Sequence, residues 1–310
     1  MKIIDLETIQ RVFEPAEAID AMREALVAQA RGECDTPMPM HLGITPVEAE
    51  VHIKSSYRRG GEYFAVKVAS GFPRNLAKGL PVGNGMMLLV SAESGEPVAV
   101  LADEGFLTDA RTAAVSALVA RELGREDTTL GILGSGIQAR LQAQMHAEVL
   151  DLERIWVWGR TPERVASYRE EMAELLPEVE VLAADNPAAV AANARLITTV
   201  TAAREPLLSA GDLQPGTHIS AVGSDSPGKQ ELDPEILRQA LLLLVDSVSQ
   251  CERLGELQHA PELKERAVEA GVFCDALIAF DSQGLSVCDF TGLGVEDLFI
   301  AKYCYEKVAG

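Results

Sequence analysis

The chain has 310 residues, enough for two domains of ordinary size with buried cores. Its 47 acids against 27 bases give a net charge of -20, which repels nucleic acid and anionic lipid, and no run of about 18 apolar residues offers a transmembrane helix. The five dispersed cysteines (Cys34, Cys251, Cys274, Cys288 and Cys304) form no C-x-x-C pair, which argues against a disulfide framework or a cysteine metal site and for a reducing compartment.

The start, Met1-Lys2-Ile3-Ile4-Asp5-Leu6-Glu7, is charged too early for a signal peptide, so a cytoplasmic protein is expected. Pro15 to Arg31 reads as an amphipathic helix, with Ile19, Met22, Leu26 and Val27 on one stripe and Gly32 just past its end. From about 37 to 102, short strands are predicted at Glu50–Ser55, Tyr63–Ser70, Met86–Ser91 and Pro97–Asp103. Glu93-Ser94-Gly95-Glu96 reads as a hairpin turn between the last two. A long helix follows over Leu107–Leu123. From Thr128 onward strands at 129–133, 154–158, 179–182, 195–200, 217–222 and 241–246 alternate with helices, the pattern of a parallel sheet covered on both faces. The tail Gly294–Val308 reads as a helix that returns to the first domain.

The strand Thr129–Leu133 runs directly into Gly134-Ser135-Gly136-Ile137-Gln138-Ala139, and a helix opens there. Gly134 permits the tight turn, Gly136 lets the backbone approach a pyrophosphate, and Ala139 lets helix and strand pack closely. The helix N-terminus faces the anion. Inside a βαβ unit this G-x-G-x-x-A is a strong dinucleotide signal. The next strand ends in Trp158-Gly159-Arg160-Thr161, without the acid that binds an NAD ribose. Arg160 and Thr161 suit a 2′-phosphate instead, so NADP is expected ahead of NAD. A solvated surface Arg160 is the competing reading.

Three cations and one acid stand out beside that loop. Lys67 alternates with Ala65 and Ala69, and Lys54 with His52, so each lysine projects from one face of its strand. Such a face suits a cation reaching for a ligand, and equally a half-exposed sheet. Arg111 falls in the first turn if Thr108 caps a helix Asp109–Leu123. A cation there opposes the helix dipole at a cost of roughly 0.3–1 kcal/mol, which an anionic substrate group would offset. A structural salt bridge to Asp103 or Glu104 is the alternative. Asp225 lies in the loop Gly223-Ser224-Asp225-Ser226-Pro227-Gly228-Lys229, after a strand whose carboxyl end is where α/β folds bind ligands. It suits a general acid or base, or merely a turn.

These segments together resemble the ornithine cyclodeaminase/mu-crystallin family. The matching stretches are Val66-Lys67-Val68, Gly79-Leu80-Pro81, Leu107-Thr108-Asp109-Ala110-Arg111-Thr112-Ala113-Ala114, Gly131 to Ala139 and Val222 to Leu232, in family order. The resemblance implies a Rossmann-type doubly wound parallel sheet domain, 116–291, and an α+β substrate and dimerisation domain from both chain ends, 1–115 and 292–310. It implies a homodimer. Lys67, Arg111, Lys54 and Met40 would surround a small amino or imino acid, with Asp225 and Lys67 catalytic. Gly134, Gly136, Ile137, Gln138, Arg160, Thr161, Thr201, Val222 and Lys229, with Arg111 and Thr112, would contact the cofactor. No metal is expected.

Two departures bear on the substrate. The family often has an arginine near residue 40, where this chain has Pro37-Met38-Pro39-Met40-His41. In cyclodeaminases a glutamate about one strand before the substrate lysine helps orient the amine, and here Lys54 stands nearby instead. Both favour an NAD(P)H-dependent reductase of a small 2-imino acid over ornithine or lysine cyclodeamination. A non-catalytic, crystallin-like binder is the third reading.

Overall fold

The computed structural model describes residues 1–276, 281 and 283–309. The chain divides into two compact units, Met1–Arg111 with Leu293–Gly310, and Thr112–Gly292. Among the described residues no helix is long and apolar enough to cross a membrane.

The first unit is a seven-stranded sheet. Its strands are β1 (Lys2–Asp5), β2 (Cys34–Asp35), β3 (Met40–Ile44), β4 (Ala49–Arg58), β5 (Tyr63–Gly71), β6 (Gly83–Ser91) and β7 (Pro97–Ala102). The order is β1-β7-β6-β5-β4-β2, with β3 also paired to β4. Gly95, at a φ of 73°, closes the expected β6–β7 hairpin. Alternation gives each strand an inner face. Ala65, Lys67, Met87, Leu89, Lys54 and Ser56 are all buried on it. The helix Gly294–Ala309 lies across this face, over β4 and β5, and the helix Pro15–Ala30 packs on that helix. A Cβ on Gly294 would sit 2.5 Å from the Ser55 carbonyl oxygen, so only glycine lets the helix start this close to β4.

Two expectations need correction here. The Lys67 face is neither a solvent face nor an empty one; the C-terminal helix fills it. The helix carrying Arg111 runs Phe106–Glu122, within a residue of the expected Leu107–Leu123, so the alternative start at Asp109 behind a Thr108 cap does not hold. Asp103 takes the place assigned to Thr108: its carboxylate accepts the Leu107 N–H at 2.8 Å. Asp103-Glu104-Gly105 makes the turn, with Glu104 at a φ of 54° and Gly105 at 92°. Arg111 therefore sits past the first turn, where the dipole penalty has faded.

The second unit holds an all-parallel eight-stranded sheet and a small parallel pair. In chain order its strands are β8 (Thr129–Leu133), β9 (Arg154–Trp158), β10 (Glu180–Ala183), β11 (Leu196–Thr199), β12 (Arg204–Leu208), β13 (His218–Ala221), β14 (Gln230–Leu232), β15 (Leu242–Val245), β16 (Val268–Glu269) and β17 (Ser286–Asp289). The large sheet has the order β10-β9-β8-β11-β13-β17-β15-β16, and β12 pairs with β14. This is a doubly wound α/β sheet. Its order reverses between β8 and β11, and the crevice beyond their carboxyl ends is the place for a ligand. Sequence periodicity missed β17, which is buried throughout between β13 and β15. Its Ser286 and Asp289 are polar, and hydrophobicity does not mark them. Tertiary hydrogen bonds do, since the Asp289 carboxylate accepts the N–H groups of Glu256 and Leu257, both at 2.9 Å.

Candidate functional site

In the second unit, Gly134, Gly136, Arg160, Thr161 and Thr201 line one cleft of about 260 Å³, together with Ser135, Trp158, Gly159, Arg164 and the segment Val200–Ala203. The two loop glycines are required for different reasons. Gly134 has a φ of 133°, and a Cβ there would lie 2.7 Å from Val200 Cγ2 and 2.9 Å from its carbonyl oxygen. That glycine is dictated by the fold. A Cβ on Gly136 would meet nothing within 4 Å. The space beside it suits an incoming group rather than a protein neighbour. Gly136 is also the N-cap of the helix Ile137–Ala147, and no side chain caps that end. A helix N-terminus without a side-chain cap suits an anion. Ala139 is fully buried where helix meets sheet.

Arg160 and Thr161 follow β9 at the cleft wall, and Thr161 does not cap the next helix with its side chain. Arg164, one turn into that helix, adds a second cation that sequence reading overlooked. Its spacing from Arg160, four residues on, was the available signal. Ile137 is 57% exposed beside the loop. Ile137, Gln138, Val222 and Lys229 are not among the residues lining the cleft.

Lys229 is engaged elsewhere in its loop. Its Nζ lies 2.5 Å from Asp225 Oδ1, which also accepts from the Ser226 hydroxyl at 3.0 Å. Asp225 remains 44% exposed. This loop is anchored by Glu231, which sequence reading also missed. One Glu231 oxygen accepts from the backbone and hydroxyl of Thr201, at 2.6 and 2.7 Å. The other accepts from the Thr199 hydroxyl at 2.6 Å and the Gly223 N–H at 2.8 Å. A single buried carboxylate so ties the ends of β11 and β13 together. Burial pushes its pKa up, and these hydrogen bonds oppose that.

The first unit gathers the three cations. Lys54 and Lys67 are direct cross-strand partners on β4 and β5, an arrangement that is repulsive by itself. The C-terminal helix supplies the counter-charge. Lys67 Nζ lies 3.0 Å from the Asp297 carboxylate. Arg111 Nε donates to the same carboxylate at 3.1 Å, and Nη1 donates to Glu296 at 2.8 Å. Lys67, Lys54, Arg111, Glu296 and Asp297 are all at least nine-tenths buried. The alternative salt bridge for Arg111 is thus present, but to Glu296 and Asp297 rather than to Asp103 or Glu104. Burial works against the Asp297 carboxylate, yet Lys67, Arg111 and Lys54 together hold its pKa below the ordinary value. Burial pulls Lys67 down to about 7; Asp297 opposes this, and Arg111 and Lys54 add to it. A lysine near 7 can give or take a proton at neutral pH. Thr112 follows Arg111, half-buried on the same helix.

Met40 does not join this group. It pairs with Ile53, whereas His41 pairs with His52, which alternates with Lys54. Register therefore turns Met40 to the outer face and His41 to the face of the two lysines. This corrects the expectation that Met40 stands beside Lys54 and Lys67. The outer face instead carries a row of apolar partners, Met40, Ile53, Val68 and Met86, with Met40 and Met86 at least half exposed.

Known proteins are similar to this chain along its whole length. The profile of the ornithine cyclodeaminase/mu-crystallin family matches residues 3–310. An uncharacterized cyclodeaminase of Sinorhizobium fredii is 35% identical over 301 residues, covering 93% of this chain and 88% of the relative. The solved Δ(1)-pyrroline-2-carboxylate reductase of Thermococcus litoralis, in complex with NADH and L-proline, superposes with a TM-score of 0.92 at 27% identity, covering 100% of this chain and 98% of that one. An archaeal alanine dehydrogenase dimer with bound NAD superposes with a TM-score of 0.90 at 26% identity, covering 100% and 96%. The chain is a member of the ornithine cyclodeaminase/mu-crystallin family.

Proposed function

We propose that this protein is an NAD(P)H-dependent reductase that converts a small 2-imino acid, cyclic or open, to an L-amino acid. The observation that carries the reading is the buried trio Lys54, Lys67 and Arg111. A carboxylate-bearing substrate needs such a group of cations, and Lys54 replaces the acid that a cyclodeaminase would use to orient an amine. The relatives that reduce a cyclic imino acid or oxidise alanine support the same chemistry.

Arg111 and Lys67 neutralise the substrate carboxylate, and Asp297 and Glu296 hold both cations in place. Their hydrogen bonds fix side chains that would otherwise lose entropy on binding. Lys67, depressed by burial, is suited to keep the imine nitrogen protonated. Asp225 is the acid or base of the Gly223–Lys229 loop. A bound nicotinamide would supply the hydride that the imine carbon gains. The nitrogen gains the proton, and an amine results.

Within this reading NADP is preferred to NAD, because Arg160 and Arg164 offer two cations and β9 ends without an acid. We also assign the protein to the cytoplasm and to a homodimer joined through the apolar row Met40, Ile53, Val68 and Met86. The cyclodeaminase relative keeps a second reading in view: cyclisation of ornithine or lysine with loss of ammonia and no net change in cofactor. One assay separates the two. With cyclic ketimines, or 2-oxo acids plus an amine, the proposal expects NAD(P)H to be consumed one-for-one with amino acid formed. Ammonia and proline from ornithine, without cofactor turnover, establish the second reading instead.

A further inference from the structure

The face that bears Lys54 and Lys67 continues beyond them to His52, Glu50 and His41. His41 and His52 are cross-strand partners on β3 and β4, with ring centroids 4.9 Å apart. Glu50 precedes His52 by two residues and so projects from the same face. Its Oε2 lies 3.5 Å from His41 Nε2 and 3.7 Å from His52 Nε2. The three ligand atoms all lie within 4.8 Å of one another. Bonds of about 2.0–2.1 Å to a tetrahedral ion set neighbouring ligand atoms roughly 3.4 Å apart. Two edges of such a tetrahedron are therefore already within a few tenths of an ångström of closure.

The surroundings leave room for this. Glu50 is flanked across the sheet by Gly43 and Gly71, and Gly71 in turn by Gly83. No Cβ crowds the carboxylate from either side. His52 Nε2 is buried and makes no hydrogen bond among the described residues. It points toward the Glu50 carboxylate at a distance too long for a direct bond. Lys54, two residues along the same face, would repel a cation, but Asp297 counters its charge.

We propose that His41, Glu50 and His52 bind a divalent first-row transition ion such as zinc, with a fourth coordination position open to water or a small ligand. Two imidazoles and a carboxylate form a borderline-soft set that favours zinc, cobalt or nickel over magnesium or calcium. The ion would also clamp β3, whose only partner among the described strands is β4. The site stands on its own geometry and does not depend on the reaction proposed above.

The test uses the full-length protein, free of any histidine tag, stripped with EDTA and returned to chelator-free buffer. Titration with Zn2+ followed by calorimetry and elemental analysis should show about one ion per chain. Co2+ should give the visible absorption bands of a four-coordinate ion. His41→Ala and His52→Gln should each weaken Zn2+ binding at least tenfold, and Glu50→Gln should weaken it less. Circular dichroism and dinucleotide binding should be unchanged in all three, so a loss of metal is not a loss of fold. Magnesium should not compete. The proposal is overturned if the stripped protein binds no zinc, or if the three variants bind it as the parent does.

Discussion

The two candidate sites are built on opposite principles. The dinucleotide cleft of the second unit is made of backbone: glycines, an uncapped helix end and a switch in strand order. The cation cluster of the first unit is made of side chains whose charges are balanced by Glu296 and Asp297, far along the chain. A backbone site tolerates changes that keep its conformation. A buried charge cluster tolerates almost none, because removing one partner strands the others away from water.

The largest expected effect follows from that contrast. Asp297→Ala leaves Lys67 and Arg111 without their shared carboxylate and should lower stability by about 3–5 kcal/mol in urea unfolding. If Lys67→Met added to Asp297→Leu restores most of that loss, the cost was the unpaired charge. Loss unchanged in the double variant would assign the effect to packing.

The glycines sharpen the comparison on the other side. Gly134→Ala places a side chain at a φ of 133° and against Val200, and should cost about 1–3 kcal/mol. In Gly136→Val the Cβ meets no protein atom within 4 Å, so the cost should stay near that of a lost N-cap residue, about 1 kcal/mol. Dinucleotide affinity should nevertheless fall at least tenfold, measured by fluorescence titration. A Gly136→Val protein that binds normally would mean the loop is a turn and not a cradle.

A third expectation concerns pH. Burial, with Asp289 and Glu231 nearby, pushes Glu256 up to about 9. Burial, partly offset by backbone hydrogen bonds, raises Asp289 to about 7. Both folded values lie above the unfolded ones. Their stabilising contribution is thus fully present in acid and lost as pH rises through about 7 and then about 9. The second unit should lose stability steadily between about pH 6 and 9.5. Glu256→Gln should flatten that slope, which separates it from the repulsion due to the net charge of -20.

The smallest effect tests the cofactor preference. Arg160→Ala and Arg164→Ala should each lower kcat/KM for NADPH about tenfold, or about 1.4 kcal/mol, and leave NADH nearly unchanged. Equal losses with both cofactors would remove the case for the 2′-phosphate.

What could be read from the sequence follows the same division. The parallel sheet and the Gly134–Ala139 loop were legible because strand periodicity and glycine spacing are local. So was the strand at 241–246, found as β15. Lys67 and Arg111 were visible as cations in apolar company, but their partners were not. Glu296 and Asp297 look like ordinary acids in the first turn of a helix until that helix is laid across β4 and β5. The helix Leu107–Leu123 was legible to within a residue, but the cap was not: Thr108 has the right residue type, and only the folded chain shows Asp103 accepting the Leu107 N–H. Met40 was assigned to the wrong face because β3 was not recognised, and parity has no meaning without a register. Glu231 and β17 escaped notice because their roles depend on hydrogen bonds between segments distant in sequence.

The central claim is that Lys67 and Asp225 serve turnover of an imino acid while the glycine loop binds the dinucleotide independently. It is tested most directly by measuring 2-imino acid reduction and dinucleotide affinity side by side in Lys67→Ala and Asp225→Asn. The account predicts that NAD(P)H consumption falls at least a hundredfold in each variant, with dinucleotide affinity retained. Turnover that survives both substitutions would contradict it.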